Sequence, residues 1–305
     1  MARFHSFTPY HFAIIITTLI LNNNLVLSHS REDYLSIIDS DSYLFHQDYS
    51  PPSPPPPPPH PPSVSCADDL GGIGSLDTTC QIVSNVNLTR DVYIEGKGNF
   101  YIHPGVSFNC PSAGCSININ ITGNFTLSSN ASIVTGSFEL LAHNSNFLDG
   151  TSVNTTGLAG KPPPQTSGTP QGIDGAGGGH GGRGACCLVG DKKLPEDVWG
   201  GDAYSWSSLQ KPTSYGSRGA STSKEVNYGG GGGGKVKLKV RDYVVVDGYI
   251  LADGGDGGTK GGGGSGGSIW MKAYKIYMCA YVCVSVCVSS IRSSEFGYGK
   301  LDCEK

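Results

Sequence analysis

Residues 91–156 alternate apolar and polar positions with a period of two. Ile117, Ile119 and Ile121 alternate with Asn118, Asn120 and Thr122. Phe125 and Leu127 alternate with Asn124 and Thr126, and Phe138, Leu140 and Ala142 with Glu139 and Leu141. Such alternation predicts strands with one buried and one wet face, which puts Asn120 and Asn124 in water. Gly-x-Phe-x-Ile/Leu recurs at Gly98-Phe100-Ile102, Gly123-Phe125-Leu127 and Gly136-Phe138-Leu140. Short strands entered through glycine, with no helical segment between them, predict an all-β fold, either a stacked solenoid or a sandwich. A right-handed parallel β-helix is the preferred form, each rung covering the inward row of its neighbours.

A second β segment, residues 229–275, carries the clearest internal repeat. The glycine run 229–234 leads into Lys235-Val236-Lys237-Leu238-Lys239. Thirty-three residues later the glycine-rich run 261–267 leads into Ser268-Ile269-Trp270-Met271-Lys272. In the first copy Val236, Leu238 and Val240 face inward and Lys235, Lys237, Lys239 and Arg241 outward. A second strand follows at Val244-Val245-Val246, then Gly248-Tyr249-Ile250, and the block closes in a glycine- and aspartate-rich turn at 253–258. The second copy is expected to break off before its own second strand. Residues 276–305 instead alternate Cys and Val around Cys279, Cys283 and Cys287, as a translated GT dinucleotide repeat would. They read as an aberrant, intron-derived tail that adds nothing to the fold.

Between the two β segments, residues 157–228 are rich in Gly, Pro and Ser. A structureless stretch of that size is unusual in a compact domain, so partial disorder or an insertion projecting from one edge is expected. At the N-terminus, residues 1–30 have the pattern of a secretory signal peptide. Arg3 precedes an apolar run at 12–21, and the small residues Ser28 and Ser30 follow. A membrane anchor needs roughly 20 apolar residues, and Asn22, Asn23 and Asn24 interrupt too early. Residues 31–65 form a Pro-rich linker whose run at 51–62 is restricted to extended polyproline II. That run resembles the Ser-Pro repeats of plant extensins.

Secretion predicts glycans and disulfides. Asn-x-Ser/Thr sequons stand at Asn87, Asn120, Asn124, Asn130 and Asn154, all in residues 66–156. Six cysteines form a set compatible with disulfides outside the cell: Cys66, Cys80, Cys110, Cys115, Cys186 and Cys187. Connectivity stays open, and Cys66 with Cys80 and Cys110 with Cys115 are the local pairings to try first. Zinc is disfavoured, because Cys110 and Cys115 have no second pair at ligand spacing. Charged residues are 15% and the net charge is -4, so there is no field to attract nucleic acid.

The chemistry-bearing motifs lead to no catalytic residue, cofactor or metal site. Gly177, Gly179 and Gly182 match Gly-x-Gly-x-x-Gly, but among 45 glycines that match is expected by chance, and the strand and helix it needs are missing. The glycine run before Lys235 resembles a phosphate loop, but Val236 stands where a magnesium-binding hydroxyl is required. Gly179-His180-Gly181 resembles a motif of polygalacturonases, which use paired carboxylates. Asp68-Asp69 lie far upstream and the family's other motifs are absent, so His180 reads as an exposed loop histidine without packing. Asp253 and Asp256 fall out of step with calcium-binding nonapeptides, since Thr259 stands where the ligand should be.

The signal peptide, the Ser-Pro run, the sequons, and the glycine-rich runs at 178–187 and 262–269 together resemble a plant family. It is the family of large glycine-rich cell-surface proteins of unknown function, sometimes named ephrin type-B receptor-like. Nothing in the chain matches an ephrin-binding domain or a kinase. The resemblance implies a truncated member whose full-length relatives are membrane-anchored. The expected function is a non-enzymatic structural or adhesive glycoprotein of the cell surface or wall, with wall polysaccharide or other wall glycoproteins as partners. The alternatives are a receptor-like ectodomain fragment and a pectinase-like β-helix enzyme.

Overall fold

The computed structural model describes residues 61–169, 175–185, 188–189, 192–193, 199–204 and 212–278. The expected signal peptide, the linker up to residue 60, Cys186, Cys187 and residues 279–305 with their cysteines lie outside the described residues. The fold is all-β, and no helix occurs among the described residues.

Three sheets carry almost all of the strands. Sheet A contains, in spatial order, β1 (Ile73–Gly74), β2 (Thr79–Ile82), β5 (Asn99–Ile102), β8 (Phe125–Leu127), β11 (Ser145–Phe147), β16 (Tyr243–Val246) and β19 (Lys275–Met278). Sheet B contains β3 (Val86–Asn87), β6 (Ser107–Cys110), β9 (Ser132–Thr135), β12 (Ser152–Asn154) and β17 (Tyr249–Leu251). Sheet C contains β4 (Val92–Gly96), β7 (Ser116–Ile121), β10 (Ser137–Ala142), β15 (Lys235–Val240) and β18 (Ser268–Lys272). The chain visits A, B and C in rotation, and from β2 onward every pair within these sheets is parallel. Among the described residues, antiparallel strand pairing occurs between β1 and β2 and in the short pair β13 (Leu188–Val189) and β14 (Lys192–Lys193), with an isolated antiparallel bridge between Ser221 and Gly261.

Alternation decides what each strand buries. Parallel neighbours lie about 4.8 Å apart, so side chains at matched positions stack directly on one another. In sheet A the row Cys80, Phe100, Phe125, Ser145, Val244, Ile276 runs through the stack. The Phe100 and Phe125 rings stack nearly parallel with centroids 6.3 Å apart, and Phe147 reaches Phe125 at 5.6 Å. Ile94, Ile119, Leu140 and Leu238 form the corresponding row of sheet C. Each such side chain contributes roughly 1.5–3 kcal/mol of burial.

The glycine-led repeat is only partly one repeat. Phe100 and Phe125 are register partners in sheet A, whereas Phe138 belongs to sheet C beside Ile117. What the entry glycines share is crowding. A Cβ on Gly123 would lie 2.3 Å from the Gly98 carbonyl oxygen, and one on Gly98 would lie 2.1 Å from that of Thr78. These corners bring backbone against backbone.

One expectation is corrected. The second copy of the 33-residue repeat does continue: Lys275, Ile276, Tyr277 and Met278 pair in parallel with Tyr243, Val244, Val245 and Val246. Residues 276–278 therefore belong to the stack. The described parts of 157–228 form a hydrogen-bonded layer together with 229–234 and 252–267, and the expectation of partial disorder falls in part outside the described residues. Gly230 and Gly233 donate to the carbonyls of Gly262 and Ser265, and Gly219 and Gly216 donate to Gly230 and Gly233. Gly262 and Ser265 donate to Ala220 and Ser217, and Gly264 and Gly267 to Gly255 and Ala252.

Partners along each segment recur every third residue. A β ladder would repeat every second residue, and a period of three belongs to the extended three-residue-per-turn helix of polyproline II type. Such a segment has no internal hydrogen bonds, so its peptide groups must find other chains. Glycine lets neighbouring backbones approach closely enough to supply them. A Cβ on Gly219 or Gly267 would stand within 1.8 Å or 1.7 Å of a neighbouring carbonyl oxygen. The layer joins the stack where sheet B turns into sheet C, through Gly234 to the Thr155 carbonyl and Ala159 to that of Gly232.

Candidate binding groove and modification sites

The sequon asparagines separate into two groups. Asn87, Asn124 and Asn130 are exposed, and Asn130 takes φ 58°, a left-handed conformation that asparagine tolerates. Asn120 and Asn154 are half-buried; their side chains are hydrogen-bonded, as is that of the exposed Asn124, whose Oδ1 accepts from Asn144 Nδ2 (3.0 Å). Asn120 Nδ2 donates to Tyr93 Oη (3.1 Å) and Glu95 Oε1 (3.3 Å), and Asn154 Oδ1 accepts from the Thr156 amide (2.9 Å). Both local cysteine pairings are present: Cys66–Cys80 with Cα atoms 5.7 Å apart and Cys110–Cys115 at 6.0 Å.

His180 is the residue that sequence reasoning misjudged. It is half-buried, Nδ1–H donates to the Gly266 carbonyl (2.7 Å), and the ring meets Tyr204 edge-on at 4.5 Å. Burial lowers its pKa below 6.5, against the opposing effect of the Gly266 bond. Tyr204 Oη in turn donates to the Tyr215 carbonyl and bonds Ser217 Oγ, which reaches Thr166 Oγ1 at 2.6 Å. This polar chain fastens the glycine layer from inside. The glycines of Gly-x-Gly-x-x-Gly are drawn into the same layer, Gly177 donating to Ala185 and Gly179 to Thr166. Asp68 and Asp69 both close a turn on Ser65. Among the described residues, no group of three or more His, Cys, Asp and Glu is placed to hold a metal ion. Nor is any helix among them long and apolar enough to cross a membrane.

Lys235 is one of four cations that alternation sends outward, yet it is half-buried with Nζ 4.8 Å from the centre of the Tyr215 ring. Burial pushes its ammonium below the usual lysine pKa and raises that of the Tyr215 phenol, which Ser137 opposes by a hydrogen bond. Its neighbour Lys237 pairs with Glu139 on the next rung.

Lys239 and Arg241 are different. They line a cavity of about 500 Å3 at the corner where sheet C turns into sheet A. Each of four rungs contributes three consecutive residues: 120–122, 141–143, 239–241 and 272–274. The middle ones, Ile121, Ala142, Val240 and Ala273, point inward and form the floor. Asn120, Leu141, Lys239 and Lys272 stand side by side along one wall by strand register. Thr122, His143, Arg241 and Tyr274 form the other wall. Tyr274 is 61% exposed and Leu141 38%. No lining residue is acidic, and among the described residues Lys239, Arg241 and Lys272 enter no ion pair. At the opposite end the Glu95 carboxylate stands beside Asn120, just outside the lining.

The outward lysines were legible, but their meeting with Leu141 was not, since 98 residues separate Leu141 from Lys239. The 33-residue repeat already placed Lys239 and Lys272 at equivalent positions. The geometry thus defines an all-β, disulfide-containing chain of parallel sheets with a basic groove running across its strands. No family model, no curated protein and no solved structure matches this chain.

Proposed function

We propose that this chain is a non-enzymatic structural or adhesive glycoprotein of the plant cell surface or wall, built on a right-handed parallel β-solenoid. The observation that carries the reading is the rotation of the chain through three parallel sheets with disulfides at its first turns. A stack of this kind offers long, regular outer faces rather than an enclosed pocket, and disulfides persist in oxidising compartments. Exposed sequons at Asn87, Asn124 and Asn130 accord with a glycosylated exterior. The residues a pectinase would need are occupied otherwise: His180 braces the glycine layer, and Asp68 and Asp69 cap a turn.

The test is expression of the full chain in plant cells. Recovery outside the cell, with a mass that drops on N-glycanase treatment and no cleavage of polygalacturonate, is the expected result. A chain retained in the cytosol with free thiols and no glycan would overturn the reading.

A further inference from the structure

We propose that the corner groove between sheets C and A binds a linear acidic polysaccharide through its uronate carboxylates. The inference deepens the surface-adhesion reading and rests on it. Lys239 and Lys272 are register partners on adjacent rungs, about 4.8 Å apart along the stack. That repeat is of the order of one pyranose ring, so these two rungs present ammonium groups at the spacing of adjacent sugar residues. Arg241, on the facing wall, supplies the planar fork that suits a carboxylate. Tyr274 extends from the same end, 61% exposed, with the Lys275 ammonium 5.7 Å from its ring centre, and a pyranose can stack on the face away from that ammonium.

Charge complementarity selects the occupant. The basic end carries three cations and no lining carboxylate, within a chain whose net charge is -4. A basic cleft in an overall acidic chain concentrates anions locally without drawing them elsewhere. The inward residues beneath are small or aliphatic, so the floor is smooth and the groove continues across rungs instead of ending in a pocket. That shape suits a polymer lying along the stack axis. Asn120 must stay unmodified for the groove to remain open, and its Nδ2 is held by Tyr93 and Glu95.

The experiment titrates the secreted full chain, in chelator, with oligogalacturonate and with the same oligomer fully methyl-esterified. The acidic oligomer should bind and the esterified one at least about tenfold more weakly, with affinity falling as salt rises. The double substitution Lys239→Gln with Lys272→Gln should weaken binding by at least about tenfold, and Lys224→Gln with Lys260→Gln should not. Protease resistance equal to that of the unaltered chain excludes unfolding as the cause, and Tyr274→Ala gives a second, charge-neutral perturbation that should also weaken binding. Equal affinity for both oligomers, or unchanged binding in the glutamine variant, would overturn the proposal. So would binding of anionic phospholipid vesicles through the same lysines in place of the oligomer. A secreted, glycosylated chain that ignores oligogalacturonate removes the groove assignment and leaves the surface-glycoprotein reading standing. An intracellular, unglycosylated chain that binds it does the reverse.

Discussion

The Nδ1–H of His180 donates to the carbonyl of Gly266 at 2.7 Å, joining two glycine-rich segments 86 residues apart. With Tyr204 packed edge-on against the ring, the histidine is a brace of the layer rather than a free loop residue. Replacing it by alanine should destabilise the fold by about 2 kcal/mol, the sum of one net hydrogen bond and one aromatic contact. Denaturant unfolding measures this, and an unchanged midpoint would refute it.

The same residue sets a pH dependence. Burial lowers the His180 pKa below 6.5, so as pH falls the unfolded chain takes up its proton first. Stability therefore declines as pH drops from 6.5 toward the lowered folded value, and levels off once both states are protonated. The part of the acid sensitivity due to His180 should disappear in His180→Asn. Parallel urea titrations of both proteins across this window are the measurement.

Glycine positions should differ sharply in tolerance. Gly264→Ala would place a methyl 2.0 Å from the Gly231 carbonyl oxygen, whereas Gly182 has nothing within 4 Å. The first substitution should cost at least about 1–3 kcal/mol and the second no more than ~0.5 kcal/mol. Thermal unfolding of the two variants decides it.

Glycan occupancy should follow exposure. Asn87, Asn124 and Asn130 are expected to carry glycans, and Asn120 and Asn154 to carry the least. Site-resolved peptide mass mapping of secreted material reads this directly. Full occupancy at Asn120 together with none at Asn124 would contradict it.

Truncation tests the contribution of β19. A chain stopped after Met278 retains β19 over Val244 and Val246, and should keep the protection of β16 against hydrogen exchange. A chain stopped after Tyr274 should lose it. Equal protection in the two would mean that β19 contributes nothing.

Period-two alternation, entry glycines and sequons lie within a few residues of one another, which is why the sequence alone determined the all-β class and the inward rows. Ile117, Ile119 and Ile121 could not face a core otherwise. The 33-residue spacing likewise determined that Val236 and Ile269 stack. Neither signal extends across long stretches of chain. Ser145 lies fully buried between Phe125 and Val244, where apolar patterning would not have placed a hydroxyl. The order in 212–267 depends on carbonyls of segments distant in sequence that accept from its amides, and a glycine run looks the same whether or not such partners exist. The basic groove arises because strands far apart in the chain become neighbours about 4.8 Å apart. Local side-chain chemistry determined which residues face out, and only the tertiary stack decided which of them stand together.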